Sequence, residues 1–177
     1  LPNVPVYDLA IHPREGDLII ATHGRGIMII DDISPLRAFT PEALNADLFI
    51  FPSRPLEIKI PRSEQSFPGG QEYVGRNPSS AASITYYMKK RLVFGDLNVE
   101  IFGPDGKLLT KMPAGTYKGL NRIKWAMRMK PPKVAPSPSL AGQALFGPMV
   151  PEGKYTYKIT KGEKVYEGSF TLVPDAR

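Results

Sequence analysis

Cysteine is absent from the 177 residues. That excludes disulfides and thiolate metal sites, and it leaves the redox compartment open, since a cysteine-free chain suits cytosol and periplasm alike. Histidine occurs only twice, as His12 and His23, with no carboxylate at ligand spacing, so no metal site is expected. Apolar runs extend over only a few residues, too short for a membrane-spanning helix. There is no P-loop, no Gly-x-Gly-x-x-Gly after a strand, and no serine elbow with a Ser-His-Asp order. No cofactor and no catalytic residue are therefore expected. The chain begins at Leu1 with no charged-then-apolar leader, so it reads as a piece of a longer polypeptide with any export signal upstream.

What the chain has in excess is turn chemistry. Glycine and proline number 16 and 19, about a fifth of the chain against a usual combined share of about 12%. They fall at segment boundaries and not in periodic runs, the punctuation of an all-β fold. The apolar fraction of 42% and charged fraction of 23% are those of a globular protein. At this length roughly 70% of the unfolded chain's surface can be buried.

The net charge of +6 invites a nucleic-acid reading. Its placement argues against one. From Asn121 onward Ile123, Trp125 and Met127 share one face while Arg122, Lys124 and Arg128 share the other. Lys154 and Lys158 likewise alternate with Tyr155, Tyr157 and Ile159. Such stripes are what a half-buried sheet shows to water, and no recognition helix or RNA-binding aromatic signature accompanies them.

Three segments follow from the patterning. Residues 1–33 read as a three-stranded meander: Val6 to His12 with Tyr7, Leu9 and Ile11 on one face, then Leu18 to Thr22, then Ile27 to Ile30 closed by Asp31-Asp32. The turn His23-Gly24-Arg25-Gly26 carries two glycines where positive φ is needed. One meander does not bury both its faces alone, so upstream blades of the same polypeptide are expected partners. Residues 34–55 read as a linker with short helical turns, Ser34 and Thr40 serving as N-caps before prolines. Residues 56–177 read as an antiparallel β-sandwich of about seven short strands, with hairpins at Pro104-Asp105-Gly106 and Lys161-Gly162-Glu163, a Trp strand from Leu120 to Arg128, a polar loop over 61–80 and a long proline-, serine- and alanine-rich loop over 131–147.

At these residues the chain becomes familiar. Asp8-Leu9, His12-Pro13, Thr22-His23-Gly24-Arg25-Gly26 and Asp31-Asp32 resemble the closing blade of the large bacterial β-propeller proteins with sortilin-type or Asp-box repeats, often labelled glycosyl-hydrolase-like. Downstream, Asn77-Pro78, Tyr86-Tyr87, Asp105-Gly106, Gly119 to Arg122, Trp125, Arg128 and Pro151 to Tyr155 resemble the immunoglobulin-like module of flagellar hook-capping proteins and bacterial sorting domains. The Asp-box pattern itself is absent, Met28 stands where an aromatic is usual, and Ala126 follows Trp125 where aspartate is usual. The resemblance implies an all-β chain, a propeller-blade-like meander followed by an immunoglobulin-like sandwich. It also implies a periplasmic or secreted bacterial parent linked to carbohydrate or cell-surface polymer. In that setting the chain is a non-catalytic accessory module. The alternatives are a glycoside-hydrolase fragment whose blade contributes site residues, and a secretion-sorting or protein-docking domain that meets an envelope protein.

The resemblance also singles out the His23-to-Gly26 turn, since such turns lie near an axial end of a propeller where ligands bind. His23 and Arg25 are thereby candidate ligand-binding residues, against a plain turn residue and a blade-closing ion pair. Asp31 and Asp32, as strand neighbours, point to opposite faces and do not make a glycosidase pair; they read as a cap for the Ser34 segment. His12 reads as a turn residue. Trp125, Tyr86, Tyr155 and Tyr157 fall on the apolar phase and read as core. Tyr87, with Tyr73 and Tyr117, is the better candidate for stacking on a sugar face.

Overall fold

The computed structural model describes residues 3–58, 79–131, 133 and 146–174. Tyr73, most of 61–80 and most of 131–147 lie outside the described residues. The chain is all-β and divides into two compact units, Leu1–Pro41 and Glu42–Arg177.

The first unit is the expected meander. Strands β1 (Val6–Ile11), β2 (Leu18–Thr22) and β3 (Ile27–Ile30) pair antiparallel in chain order. Their registers set Leu9, Ile20 and Met28 side by side, and Ile11, Leu18 and Ile30 beside them; Ala10, Ile19 and Ile29 occupy the opposite face with Ala21 and Ile27. Both faces are therefore apolar. The β1–β2 hairpin is closed by His12, whose amide donates to the Asp17 carbonyl at 2.9 Å and whose Nδ1 accepts from the Glu15 amide at 3.1 Å. After β3 the chain is tied back to that hairpin, as the Asp32 amide donates to Asp17 Oδ1 at 2.8 Å.

Helix α1 (Ser34–Arg37) has Ile33, not Ser34, as its N-cap. The helix has no side-chain cap; just before it, Asp32 Oδ1 accepts from the Ser34 amide at 3.1 Å and the Ser34 hydroxyl at 2.5 Å. Asp32 sits at φ 46°, a left-handed conformation that aspartate tolerates better than most.

The second unit is a two-sheet sandwich. One sheet has the order β4 (Leu48–Ile50), β6 (Ala82–Met88), β9 (Gly119–Trp125). The other runs β5 (Leu56–Ile58), β11 (Lys164–Pro174), β10 (Gly153–Lys161), β7 (Leu97–Phe102), β8 (Leu108–Pro113). Inward residues of both sheets form one core, with Ile84, Tyr86, Val99, Ile101, Trp125, Tyr155, Tyr157 and Ile159 among its members. This is the immunoglobulin-like layout, and Tyr155 supplies its characteristic corner: the hydroxyl near the start of β10 donates to the Pro151 carbonyl four residues upstream.

Three expectations change. The span 34–55 is not a linker throughout, because α2 (Pro41–Asn45) and β4 lie within it and β4 pairs with β6. The stretch from Leu48 is extended as its residues suggest, but Leu48 is buried in the sandwich core, so the stretch belongs to the sandwich and not to the linker. The sandwich is not wholly antiparallel, since β5 runs parallel to β11. Between β4 and β5 the chain passes from one sheet to the other through Pro52 and Pro55, which carry no amide hydrogen for a continuing ladder. The Trp strand ends at Trp125 and does not reach Arg128, because Met127 turns to φ 55°. Met127 nevertheless stays buried.

Candidate functional site

The β2–β3 turn is built by two glycines, Gly24 at φ 73° and Gly26 at φ 76°. A Cβ at either would meet nothing within 4 Å, so the backbone conformation, and not space, demands glycine there. The turn closes through the Gly26 carbonyl, which accepts from the Thr22 amide at 3.1 Å and the Thr22 hydroxyl at 2.6 Å. The His23 amide donates to the Pro5 carbonyl at 3.0 Å and holds the start of β1 against the turn.

These bonds fix where the side chains stand. His23 meets the Tyr7 ring edge-on, centroids 5.2 Å apart at 77°, and both rings are exposed. Arg25 is exposed between the two glycines. Among the described residues no carboxylate pairs with it. An aromatic pair beside an outward guanidinium is chemistry that suits a hydroxylated or carboxylated ligand: the ring faces for apolar surface, the fork for oxygen. Sequence reasoning selected His23 and Arg25 but assigned Tyr7 to the apolar stripe. A register shift between Val6 and Asp8 intervenes, and an uninterrupted alternation gives no sign of such a bulge.

Tyr87 belongs to the other unit. It lies on β6 directly opposite Phe49 on β4 and Leu120 on β9, partly exposed on the outward side of the three-stranded sheet. Tyr117 is exposed, with the Arg91 guanidinium 5.7 Å from its ring centroid. Tyr86, Tyr155, Tyr157 and Trp125 are buried, as their phase requires. Burial pushes the Tyr157 hydroxyl up to about 12, with its bond to Ser53 acting the other way.

The basic stripe on the five-stranded sheet meets carboxylates across the strands. Lys111 Nζ lies 3.1 Å from Glu100, and Lys158 Nζ lies 2.9 Å from Glu167. On the three-stranded sheet Arg122 and Lys124 alternate with buried Ile123 and Trp125, as expected. Asp47 joins the start of β4 to the far hairpin, its carboxylate 2.5 Å from Lys161 Nζ and 3.3 Å from the Tyr166 hydroxyl. The Lys161 bond holds this carboxyl below the usual aspartate value against a smaller opposing effect of burial. Among the described residues no group of three or more His, Asp or Glu is placed to hold a metal ion. None of their helices is long and apolar enough to cross a membrane.

No family model matches the chain, and no curated protein matches it. Among solved structures it is similar to part of PorZ, an essential bacterial surface component of the type-IX secretion system of Porphyromonas gingivalis. The identity is 16% and the TM-score 0.37, over 95% of this chain and 16% of PorZ. It is also similar to part of Salmonella alpha-2-macroglobulin reacted with methylamine, at 13% identity and TM-score 0.41, over 89% of this chain and 8% of that one. The chain thus spans a small fraction of the structures it matches.

Proposed function

We propose that this chain is a non-catalytic interaction module of an exported, periplasmic or secreted bacterial β-propeller protein, with the first unit as one blade and the sandwich as an accessory module. The observation that carries it is the meander's two-sided apolarity. Leu9 on one face is 59% exposed and Ile27 on the other 71%. A sheet that stands alone keeps one face polar, whereas a blade is covered on both sides by its neighbours. The Tyr7–His23 pair and Arg25 then form the ligand-facing edge of the blade, suited to carbohydrate or cell-surface polymer. Asp32 is engaged by Ser34, which supports a structural and not a catalytic role for the Asp31-Asp32 pair.

The test is direct. The chain should enhance the fluorescence of a hydrophobic dye, and Leu9→Lys combined with Ile29→Lys should remove most of that signal. It should also show no hydrolysis of aryl-glycosides. Unchanged dye binding in the double variant, or hydrolysis that Asp31→Asn or Asp32→Asn abolishes, contradicts the proposal.

A further inference from the structure

We infer that one end of the sandwich docks on an anionic lipid bilayer, with Val93 and Phe94 as an apolar wedge that enters the headgroup region. The inference uses the second unit alone and stands apart from the propeller reading. The strand registers bring the loops at 89–96, 114–118 and 162–163 to the same end, where Met88 meets Leu48 and Gly119, and Leu97 meets Lys161. The β6–β7 loop is anchored at its base: Leu92 packs against the core and donates its amide to the Thr116 carbonyl at 3.0 Å. Immediately beyond that anchor Val93 is 68% exposed and Phe94 87%. Gly95 at φ 89° turns the chain back.

An anchored loop that holds two adjacent large apolar side chains in water marks an interaction site. Its surroundings say of what kind. Lys89, Lys90, Arg91, Lys118 and Lys164 are exposed at this end and outnumber the exposed carboxylates Asp96 and Glu163, while Asp47 is engaged by Lys161. Cations around an apolar tip match a surface with negative headgroups above hydrocarbon. A protein partner is less suited, because a convex tip of two side chains offers little of the roughly 800 Å² per partner that a stable protein interface buries.

The experiment co-sediments the 177-residue chain with phosphatidylglycerol-containing vesicles and with pure phosphatidylcholine vesicles across a salt series. Binding to the anionic vesicles is expected, weakening as salt screens the cations. Val93→Ser with Phe94→Ser should lower the partition about tenfold, and Lys89→Glu with Lys90→Glu should abolish it. Thermal melts of both variants should match the parent, since the replaced side chains face solvent. Three results overturn the inference: no anionic-vesicle binding by the parent, equal binding by the Val93/Phe94 variant, or equal binding to both vesicle types. Capture of poly-glutamate through the same residues, without vesicle binding, identifies an acidic protein surface instead and also overturns it.

Discussion

The Tyr155 hydroxyl donates to the Pro151 carbonyl oxygen at 2.6 Å and closes the corner through which the chain turns into β10. The ring stacks on Phe170, centroids 5.7 Å apart and planes within 8°, so one residue fixes both the corner and the core. Tyr155→Phe keeps the stacking and removes the bond. The expected loss is about 1 kcal/mol in a urea melt; an unchanged midpoint contradicts the corner's role.

Trp125 lies 5.8 Å from the Tyr155 ring and 6.0 Å from Phe170, only 3% exposed. Trp125→Ala empties the centre of this cluster and should lower stability by about 3 to 5 kcal/mol. Coincident urea midpoints for the two proteins would place the indole outside the core.

Gly168 faces Tyr157 across the β10–β11 ladder, and a Cβ there would fall within contact of the tyrosine ring. Gly168→Ala should therefore destabilise the sandwich by about 1 to 3 kcal/mol through overpacking. Combined with Tyr157→Ala, the alanine should lose most of this penalty. Additive effects in the double-mutant cycle would refute the contact.

Asp47 and Tyr157 each contribute to one limb of the stability profile. Because the folded Asp47 carboxyl ionises below the ordinary aspartate value of about 3.9, its ionised form favours folding above that pH. The contribution is lost as pH falls through the folded value. Asp47→Asn should make this acid limb shallower. Tyrosine in the unfolded chain ionises near 10, whereas folded Tyr157 is pushed up to about 12, so stability should fall between those values. Tyr157→Phe should reduce the alkaline slope; identical melting-temperature profiles for variant and parent would disprove either assignment.

The core of the sandwich was legible because period-two alternation survives wherever a strand is long. Leu97, Val99 and Ile101 on β7, and Tyr155, Tyr157 and Ile159 on β10, follow it without exception. Leu48 to Phe51 and Leu56 to Ile60 also read as extended, but their pairing partners are not written in the local pattern. β4 and β5 have three residues each, and β5 takes its parallel partner β11 from more than a hundred residues away. The left-handed turn at Met127 leaves the inward phase intact, so burial alone gave no sign that the ladder had ended. At the candidate site, glycine spacing marked the β2–β3 turn, but the Tyr7–His23 contact depends on a bulge that the sequence pattern does not register.

On the proposed reading, the first unit's sheet is shaped for cover on both faces. Amide hydrogen exchange on the chain as it stands tests it most directly. Fast exchange is expected at Ile19, Ile20 and Met28 in the meander, and strong protection at Val99, Ile101, Tyr157 and Ile159 in the sandwich. Equal protection in both units would show that the meander is stable without cover and is not a blade.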